Sequence, residues 1–427
     1  MLFLKGVNAF MKKYDIAVVG GGLTGVAAAV SAARLGRSVI IIEESGCFGG
    51  AMSNCLVYPF MIYWTKCKGE RKYLSAGIFT EMNKRQKEYN PSADRCNFSP
   101  EIFKFVFDDM IVEAGVDYLF HAMLCAVKTE KNKITSASFA TKSGIMEIEA
   151  DYFIDATGDG DLFAFAGCDY SLGRPEDSKC QPMTTCFRLG NVDENIFDGN
   201  ELKRLQGEYK RLKAENKIKN PREDILIFRK LGKGIIHFNT TRVINHNPIN
   251  PMERSTAEVE ARRQIKEMVD FLKSSSEAFR DSVLINTAVS IGVRESRMLK
   301  GKYTLTGEDI VACKKFDDRI ALGNYDIDIH NPDGSGTSHY YFKEGEYYSI
   351  PFGSLISEQY VNLLVGGRCI SADHQAQASV RIMPICATTG EAAGTAAGVM
   401  AADGTFTDNA DIAKIQDVLR KNGAAID

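Results

Sequence analysis

The stretch from Tyr14 to Glu44, YDIAVVGGGLTGVAAAVSAARLGRSVIIIEE, constrains this chain more than any other. An apolar run of strand length (Ile16, Ala17, Val18, Val19) enters Gly20, Gly21, Gly22 and Gly25 and continues as a small-residue helix. A second buried strand, Ser38 to Ile42, closes on Glu43. Gly20 permits the tight turn, Gly22 lets backbone approach a pyrophosphate, and Gly25 lets helix and strand pack closely, so that the helix N-terminus faces the phosphates. Leu23 and Thr24, at the start of that helix, belong to the same cradle. Glu43 stands about 20 residues into the unit, where a carboxylate accepts hydrogen bonds from an adenosine ribose, and Glu44 follows it. Strand, turn, helix, strand and acid together specify a dinucleotide-binding unit.

The choice of dinucleotide is read further along. After Glu44 the chain runs SGCFGGAMSN, placing Gly49, Gly50 and Ala51 where a nicotinamide enzyme builds its next crossover. Two distant stretches join them. IDATGDGDL (Ile154 to Leu162) is a buried strand ending in a glycine turn at Ala156, Thr157 and Gly158, and LLVGGR is a strand running into Gly366, Gly367 and Arg368. With GRCISA and Ser379-Val380-Arg381 beyond, the set resembles the FAD-dependent oxidoreductases of the glutathione-reductase superfamily, in their fumarate-reductase-like branch. The resemblance spans nearly the whole chain, is weakest from Asn191 to Arg254, and is specific for cofactor and fold rather than substrate. It implies FAD and an α/β architecture: a Rossmann-like FAD-binding domain with a β-meander, and an inserted α+β substrate domain.

A length of 427 residues, 44% apolar, is enough for two domains, and a net charge of -3 gives no nucleic-acid footprint. No apolar run reaches the roughly 18 residues of a membrane helix. The first ten residues, MLFLKGVNAF, lack the charged start of a signal peptide and read as an extension upstream of Met11. Eleven cysteines without metal or framework spacing suit a reducing, cytoplasmic setting.

Along the chain, Thr80 to Tyr89 reads as an exposed helix, and Ser99-Pro100 open a helix through Glu113 with Phe103, Val106, Phe107 and Met110 on one face. Alternating runs from Asp117 to Ala150, broken at Lys131-Asn132 and Ser143-Gly144, predict the β-meander. Glu201 to Arg222 is charged and almost without apolar periodicity, a solvated helix. Ser255 opens a further helix as a capping box, with Ala257, Ala261, Ile265, Met268 and Leu272 as its stripe. The expected division is an FAD domain from residues 1–190 and 350–427, with 1–12 as extension, and an inserted substrate domain from 191–349.

Chemistry has several candidate carriers. Pro384 opens a helix of Ala, Gly and Thr whose N-terminus the resemblance aims at the flavin pyrimidine edge. Such a terminus stabilises an anion by about 0.3 to 2 kcal/mol, or roughly 6 to 45 mV for a two-electron couple. Arg381 either adds a full charge there or is a surface or ion-paired arginine. His374, between that helix and the preceding strand, is either a proton-transfer group or a structural histidine. Arg294 and Arg297 suit an anionic substrate, unless they pair internally with Glu295. Asp326, Asp328 and His330 alternate as one strand face, either a proton-abstracting cluster or a solvated one. Adding His339 gives no recurring metal spacing, so no metal is expected. Cys47, His121 and Cys180 are open candidates for covalent flavin attachment.

These features point to an FAD-dependent dehydrogenase or reductase exchanging hydride between flavin and a small polar or anionic molecule. His374 or His330 would move the proton, and Arg294, Arg297 and Arg381 would orient the substrate. A flavin monooxygenase, a biosynthetic or RNA-modifying flavoprotein and a non-catalytic FAD-binding protein share the same features, although the net charge does not favour RNA. No second Gly-x-Gly-x-x-Gly stands between a strand and a helix, and Cys47 and Cys55 lack redox-disulfide spacing. The expected electron partner is therefore the organic substrate or a separate carrier rather than a nicotinamide.

Overall fold

The structure, a computed structural model, describes residues 13–91, 93–229 and 231–427, so the extension assigned to residues 1–12 lies outside the described residues. β1 (Tyr14–Val19) leads through the glycine turn into α1 (Leu23–Arg34), and β2 (Val39–Ile42) returns parallel to it with Ile16 opposite Val39. Both strands are apolar nearly throughout, as parallel strands covered on two faces are. α2 (Ile78–Tyr89) and α3 (Pro100–Glu113) follow, the latter capped by Ser99 accepting from the Ile102 N–H. β3 (Asp117–Leu119) extends the sheet beside β2.

β4 (Met123–Glu130), β5 (Lys133–Thr141) and β6 (Gly144–Asp155) are the meander, and β6 serves two sheets at once. Its residues from Gly144 to Glu149 pair antiparallel with β5, while those from Ala150 to Asp155 lie parallel to β1. The meander therefore ends as the strand that delivers Ala156.

A second, antiparallel sheet begins at β7 (Phe187–Gly190), followed by α4 (Gly199–Ala214), β8 (Ile227–Phe228), β9 (Ile236–Phe238), α5 (Pro251–Ser275) and β10 (Val283–Thr287). Its order is β8-β9-β7-β10. One face carries Phe187 stacked on Phe238 at 4.8 Å and is covered by Leu205 and Tyr209 of α4 and Ile265 and Met268 of α5, a core of its own. α4 is thus less solvated than its sequence suggests, because the apolar stripe is interleaved with lysine and arginine. α5 starts at Pro251 rather than Ser255: Asn250 accepts from the Met252 and Glu253 N–H groups, and Ser255 lies inside the helix bonding back to the Pro251 carbonyl. A proline suited to the first turn fixes that earlier start.

The hairpin β11 (Ile327–His330) and β12 (Thr337–Tyr340) sets Asp328 opposite His339. β13 (Leu363–Val365) then returns the chain to the parallel sheet beside β6, and α6 (His374–Val380) and α7 (Met383–Asp403) follow. No helix among the described residues is long and apolar enough to cross a membrane.

α7 is buried almost all round because small residues let it press against α1. A Cβ on Gly390 would stand 2.2 Å from the Thr24 carbonyl oxygen, and one on Gly394 would stand 2.1 Å from that of Ala28. Between them Glu391 is 1% exposed, with one carboxyl oxygen accepting from the Ile78 N–H at 3.2 Å. The start of α2 favours an anion by at most about 2 kcal/mol. Burial outweighs it and pushes the carboxyl up to about 8. Since this folded value is raised above the ordinary 4.5, its stabilisation is complete below that pH and is lost as pH rises toward 8. Glu391→Gln is expected to flatten that fall, gaining up to about 5 kcal/mol over wild type at alkaline pH and little in acid. Urea melts of both proteins at acid and alkaline pH check it; equal losses on going alkaline would refute the buried, protonated carboxyl.

Candidate active site

The turn after β1 is forced by three different uses of glycine. Gly20 has φ +101° and donates to the Ile42 carbonyl at 2.7 Å, and a Cβ there would meet the Ala156 carbonyl oxygen at 2.4 Å. A Cβ on Gly25 would sit 1.8 Å from the Gly20 oxygen, so this glycine closes helix onto turn and faces no ligand. Gly22 differs: its nearest foreign atom is the Gly50 Cα at 3.9 Å, and the N-terminus of α1 that it caps has no side-chain partner. Glu43 is buried and accepts from the Gly21 N–H at 2.6 Å and the Ser45 N–H at 2.9 Å, leaving further lone pairs on both oxygens.

These groups open onto a cavity of about 840 Å³, inside the roughly 300 to 1,000 Å³ of ligand pockets. Gly20, Gly22, Leu23, Thr24, Glu43 and Glu44 line it, as do Gly49, Gly50 and Ala51 and the turn Ala156, Thr157, Gly158. An open side at Gly22, the N–H donors of a bare helix N-terminus and an adjacent carboxylate acceptor are what a dinucleotide pyrophosphate and ribose require. Gly25, Gly366 and Gly367, expected to touch the cofactor, stand outside this lining. Cβ atoms on the last two would meet Thr24 side-chain atoms at 2.7 and 2.6 Å, so they serve the packing of α1. Arg368 lines the cavity, but its guanidinium is committed to protein: to the Gly158 carbonyl at 2.8 Å, to the Val293 carbonyl and to Asp159. Asp159 also holds Arg254 at 3.1 Å.

The same cavity is lined by Arg294, Tyr325, Asp328, His330, His339 and Arg381. His374 is not in a loop beside them: Asp373 caps α6, and His374 in its first turn binds the wholly buried Glu295 at 2.6 Å, outside the cavity. Arg297 is likewise elsewhere, pairing with Asp161 at 2.8 Å and the Asp159 carbonyl at 2.9 Å rather than with Glu295. Arg294 does line the wall and, among the described residues, donates only to the Pro182 carbonyl and the Thr184 hydroxyl, both at 2.5 Å. Burial, with the charge of Arg381 adding to it, pushes Arg294 down to about 9. Arg381 ends α6 and donates to Asp328 through its carbonyl at 3.0 Å and its carboxylate at 3.3 Å.

Asp328 and His330 are buried, so their strand face is not a solvated one. Arg242 donates to His330 Nδ1 at 2.9 Å; an arginine only donates, so Nδ1 is the acceptor and the proton sits on Nε2, 3.5 Å from Asp328. Burial, reinforced by Arg294, pushes His330 down to about 3. Burial opposes the charge on Asp328, yet its bonds to His330 and the nearby Arg381 hold its carboxyl far below the usual range. His330 is therefore locked neutral and has no free basic nitrogen. His339 is held the opposite way: Nδ1 meets Asp326 at 2.6 Å, the ring stacks on Tyr341 at 5.1 Å, and the side chain stays 33% exposed. In the sequence His339 stands out only as a candidate metal ligand. The turn NPDGSG before TSHYY was the signal that a return strand sets it opposite Asp328.

Cys47, His121 and Cys180 lie off the cavity, whereas Cys55, Cys186 and Cys386 line it. Burial pushes these three thiols up to about 11, 12 and 12. Among the described residues no group of three or more His, Cys, Asp and Glu side chains could hold a metal ion.

A family model described as FAD dependent oxidoreductase matches residues 15–419, so the chain belongs to that family of flavoproteins, and its cofactor is FAD. No curated protein matches it. Among solved structures, a geranylgeranyl bacteriochlorophyll reductase-like protein of Thermoplasma acidophilum is 15% identical with a TM-score of 0.49, over 96% of this chain and 84% of that one. The flavin-dependent brominase Bmp2 is 11% identical with a TM-score of 0.49, over 95% and 83%. A flavoprotein/dehydrogenase of Cytophaga hutchinsonii is 12% identical with a TM-score of 0.44, over 96% and 83%.

Gly22→Val projects a branched side chain into the open side of the turn, and the purified variant is expected to fold with its FAD content close to zero. Gly25→Val, against the 1.8 Å contact, is expected to lose the fold instead. Visible absorbance and circular dichroism separate the outcomes; full flavin in the Gly22 variant would show that this turn does not hold it.

Proposed function

We propose that this FAD-dependent oxidoreductase is a dehydrogenase or reductase of the fumarate-reductase-like branch of the glutathione-reductase superfamily. It acts on a small polar or anionic organic substrate enclosed between an FAD domain of residues 1–190 and 350–427 and an inserted domain of residues 191–349. FAD supplies the two-electron chemistry. The observation that carries the reading is one cavity wall holding Arg294, a cation with no carboxylate partner among the described residues, together with His339, a histidine whose Nδ1 is tied to Asp326.

In this reading Arg294 orients the substrate and Arg381 adds positive charge, moderated by Asp328. His339 takes the role first considered for His330 and His374. Asp326 holds its Nδ1–H and so leaves Nε2 to accept or return a proton, as an oriented imidazole does in general acid–base catalysis. His339→Gln is expected to reduce turnover by about 10²- to 10⁴-fold with flavin content unchanged, and His330→Gln far less. The substrate for that assay comes from an anaerobic screen of organic acids for bleaching of the bound flavin. If His330→Gln carries the loss and His339→Gln keeps its rate, the assignment fails.

Support for a direct electron route comes from the sheets: parallel pairing among the described strands is confined to the first sheet, and the second is antiparallel throughout. Nicotinamides are therefore expected to be poor donors. Anaerobic mixing of the oxidised holoprotein with excess NADH and then NADPH tests this, and bleaching within seconds by either one would overturn the route.

A further inference from the structure

The second sheet carries a polar pair on the side away from its aromatic core. Arg188 on β7 and His237 on β9 are direct cross-strand partners. Side chains alternate along a strand, so Arg188 shares a face with Cys186, and His237 shares one with Asn239. Cys186 and Asn239 line the cavity, as do Tyr58 and Phe228, whose rings lie 5.3 and 6.0 Å from the His237 ring. Arg188 and His237 thus form the layer immediately behind that wall.

Neither is satisfied by the protein. Arg188 is 9% exposed, and among the described residues its Nε and Nη2 have no hydrogen-bond partner; His237 is 0% exposed, and both its ring nitrogens likewise have none there. Among the described residues Arg188 enters no ion pair. The carboxylate of Glu101 is the largest negative charge felt by Arg188 but forms no ion pair with it, and Cys186 and Tyr58 do not neutralise it, because burial raises both, the thiol to about 12. Burial, with the Arg188 charge adding, pushes His237 down to about 3, so the imidazole is neutral and has one N–H to donate. An arginine stays protonated, and water can fill its donors but not cancel its charge.

We propose that Arg188 and His237 form a carboxylate-binding subsite in the layer behind the cavity wall, taking the acid group of a monocarboxylate that enters past Tyr58 and Phe228 of that wall and leaves its apolar or aromatic tail against them. The guanidinium fork supplies parallel N–H donors to the two oxygens and His237 a third. This rests on the reading that the cavity takes an organic substrate, and it replaces a generally anionic substrate with a carboxylate at a stated place.

Benzoate and its neutral counterpart benzamide are suitable probes, titrated into the holoprotein while the flavin spectrum and Tm are followed. Wild type is expected to answer benzoate and not benzamide. Arg188→Met is expected to weaken the benzoate response at least about tenfold. Without benzoate it should melt above wild type, because an uncompensated buried charge is gone. Arg188→Lys, keeping charge without the fork, should fall between. If Arg188→Met answers benzoate like wild type, or wild type does not answer at all, the subsite is refuted. Loss in Arg294→Gln but not in Arg188→Met would refute it while leaving the proposed function standing. An unchanged response in both variants would remove the subsite and the anion-orienting role of Arg294 together.

Discussion

The backbone contacts made where side chains are missing decide the rest of this structure. The Gly20 carbonyl occupies the space of a Cβ on Gly25, the Thr24 carbonyl that of one on Gly390, and the Ala28 carbonyl that of one on Gly394. Turn, first helix and last long helix are thereby held as one block, at separations no other residue allows. Protein interiors pack at crystal-like density, so such a block transmits position faithfully. The bare N-terminus of α1 and the carboxylate of Glu43 are fixed relative to the turn Ala156-Thr157-Gly158 because β1 and β6 are adjacent strands of one sheet. Conformational entropy lost at these glycines is the cost of that cradle.

Much of this was legible because it is local. A strand, a glycine turn, a small-residue helix and a second strand write their periods within thirty-odd neighbouring residues, and Ser99-Pro100 marks a helix start by capping chemistry alone. The helix start read at Ser255 lies instead at Asn250-Pro251, where the proline fixes the first turn and Asn250 accepts from the Met252 and Glu253 N–H groups. In α4 the long charged residues hide Leu205 and Tyr209, since their stems cover the apolar stripe that their heads disguise.

The site was less legible because its pairings are remote in sequence. His374 bonds Glu295 and Arg297 bonds Asp161, each across more of the chain than any periodicity spans. Arg188 meets His237 only once the antiparallel register exists. Strand alternation correctly grouped Asp326, Asp328 and His330, but not which nitrogen of a histidine is engaged. That depends on Arg242 approaching from another element.

Counterion placement explains what these remote contacts achieve. Arg222 is matched by Asp224, Arg242 by Glu223, Arg254 and Arg368 by Asp159, and Arg381 by Asp328. At about 4 Å and an effective dielectric near 20, each such pair is attracted by about 4 kcal/mol, comparable to the desolvation it offsets. Arg188 and Arg294 lack such an ion-pair partner in the described residues; Arg294 lines the cavity, and Arg188 lies in the layer behind its wall. Their guanidinium groups are held below their usual range by burial first, which is the mark of charge retained against its own solvation. A chain under selection for stability alone would replace them with apolar residues of similar volume at little loss. Keeping them makes sense if a negative charge enters the cavity from outside, and then the desolvation already endured by the protein becomes binding energy for an anion and a barrier to its neutral analogues.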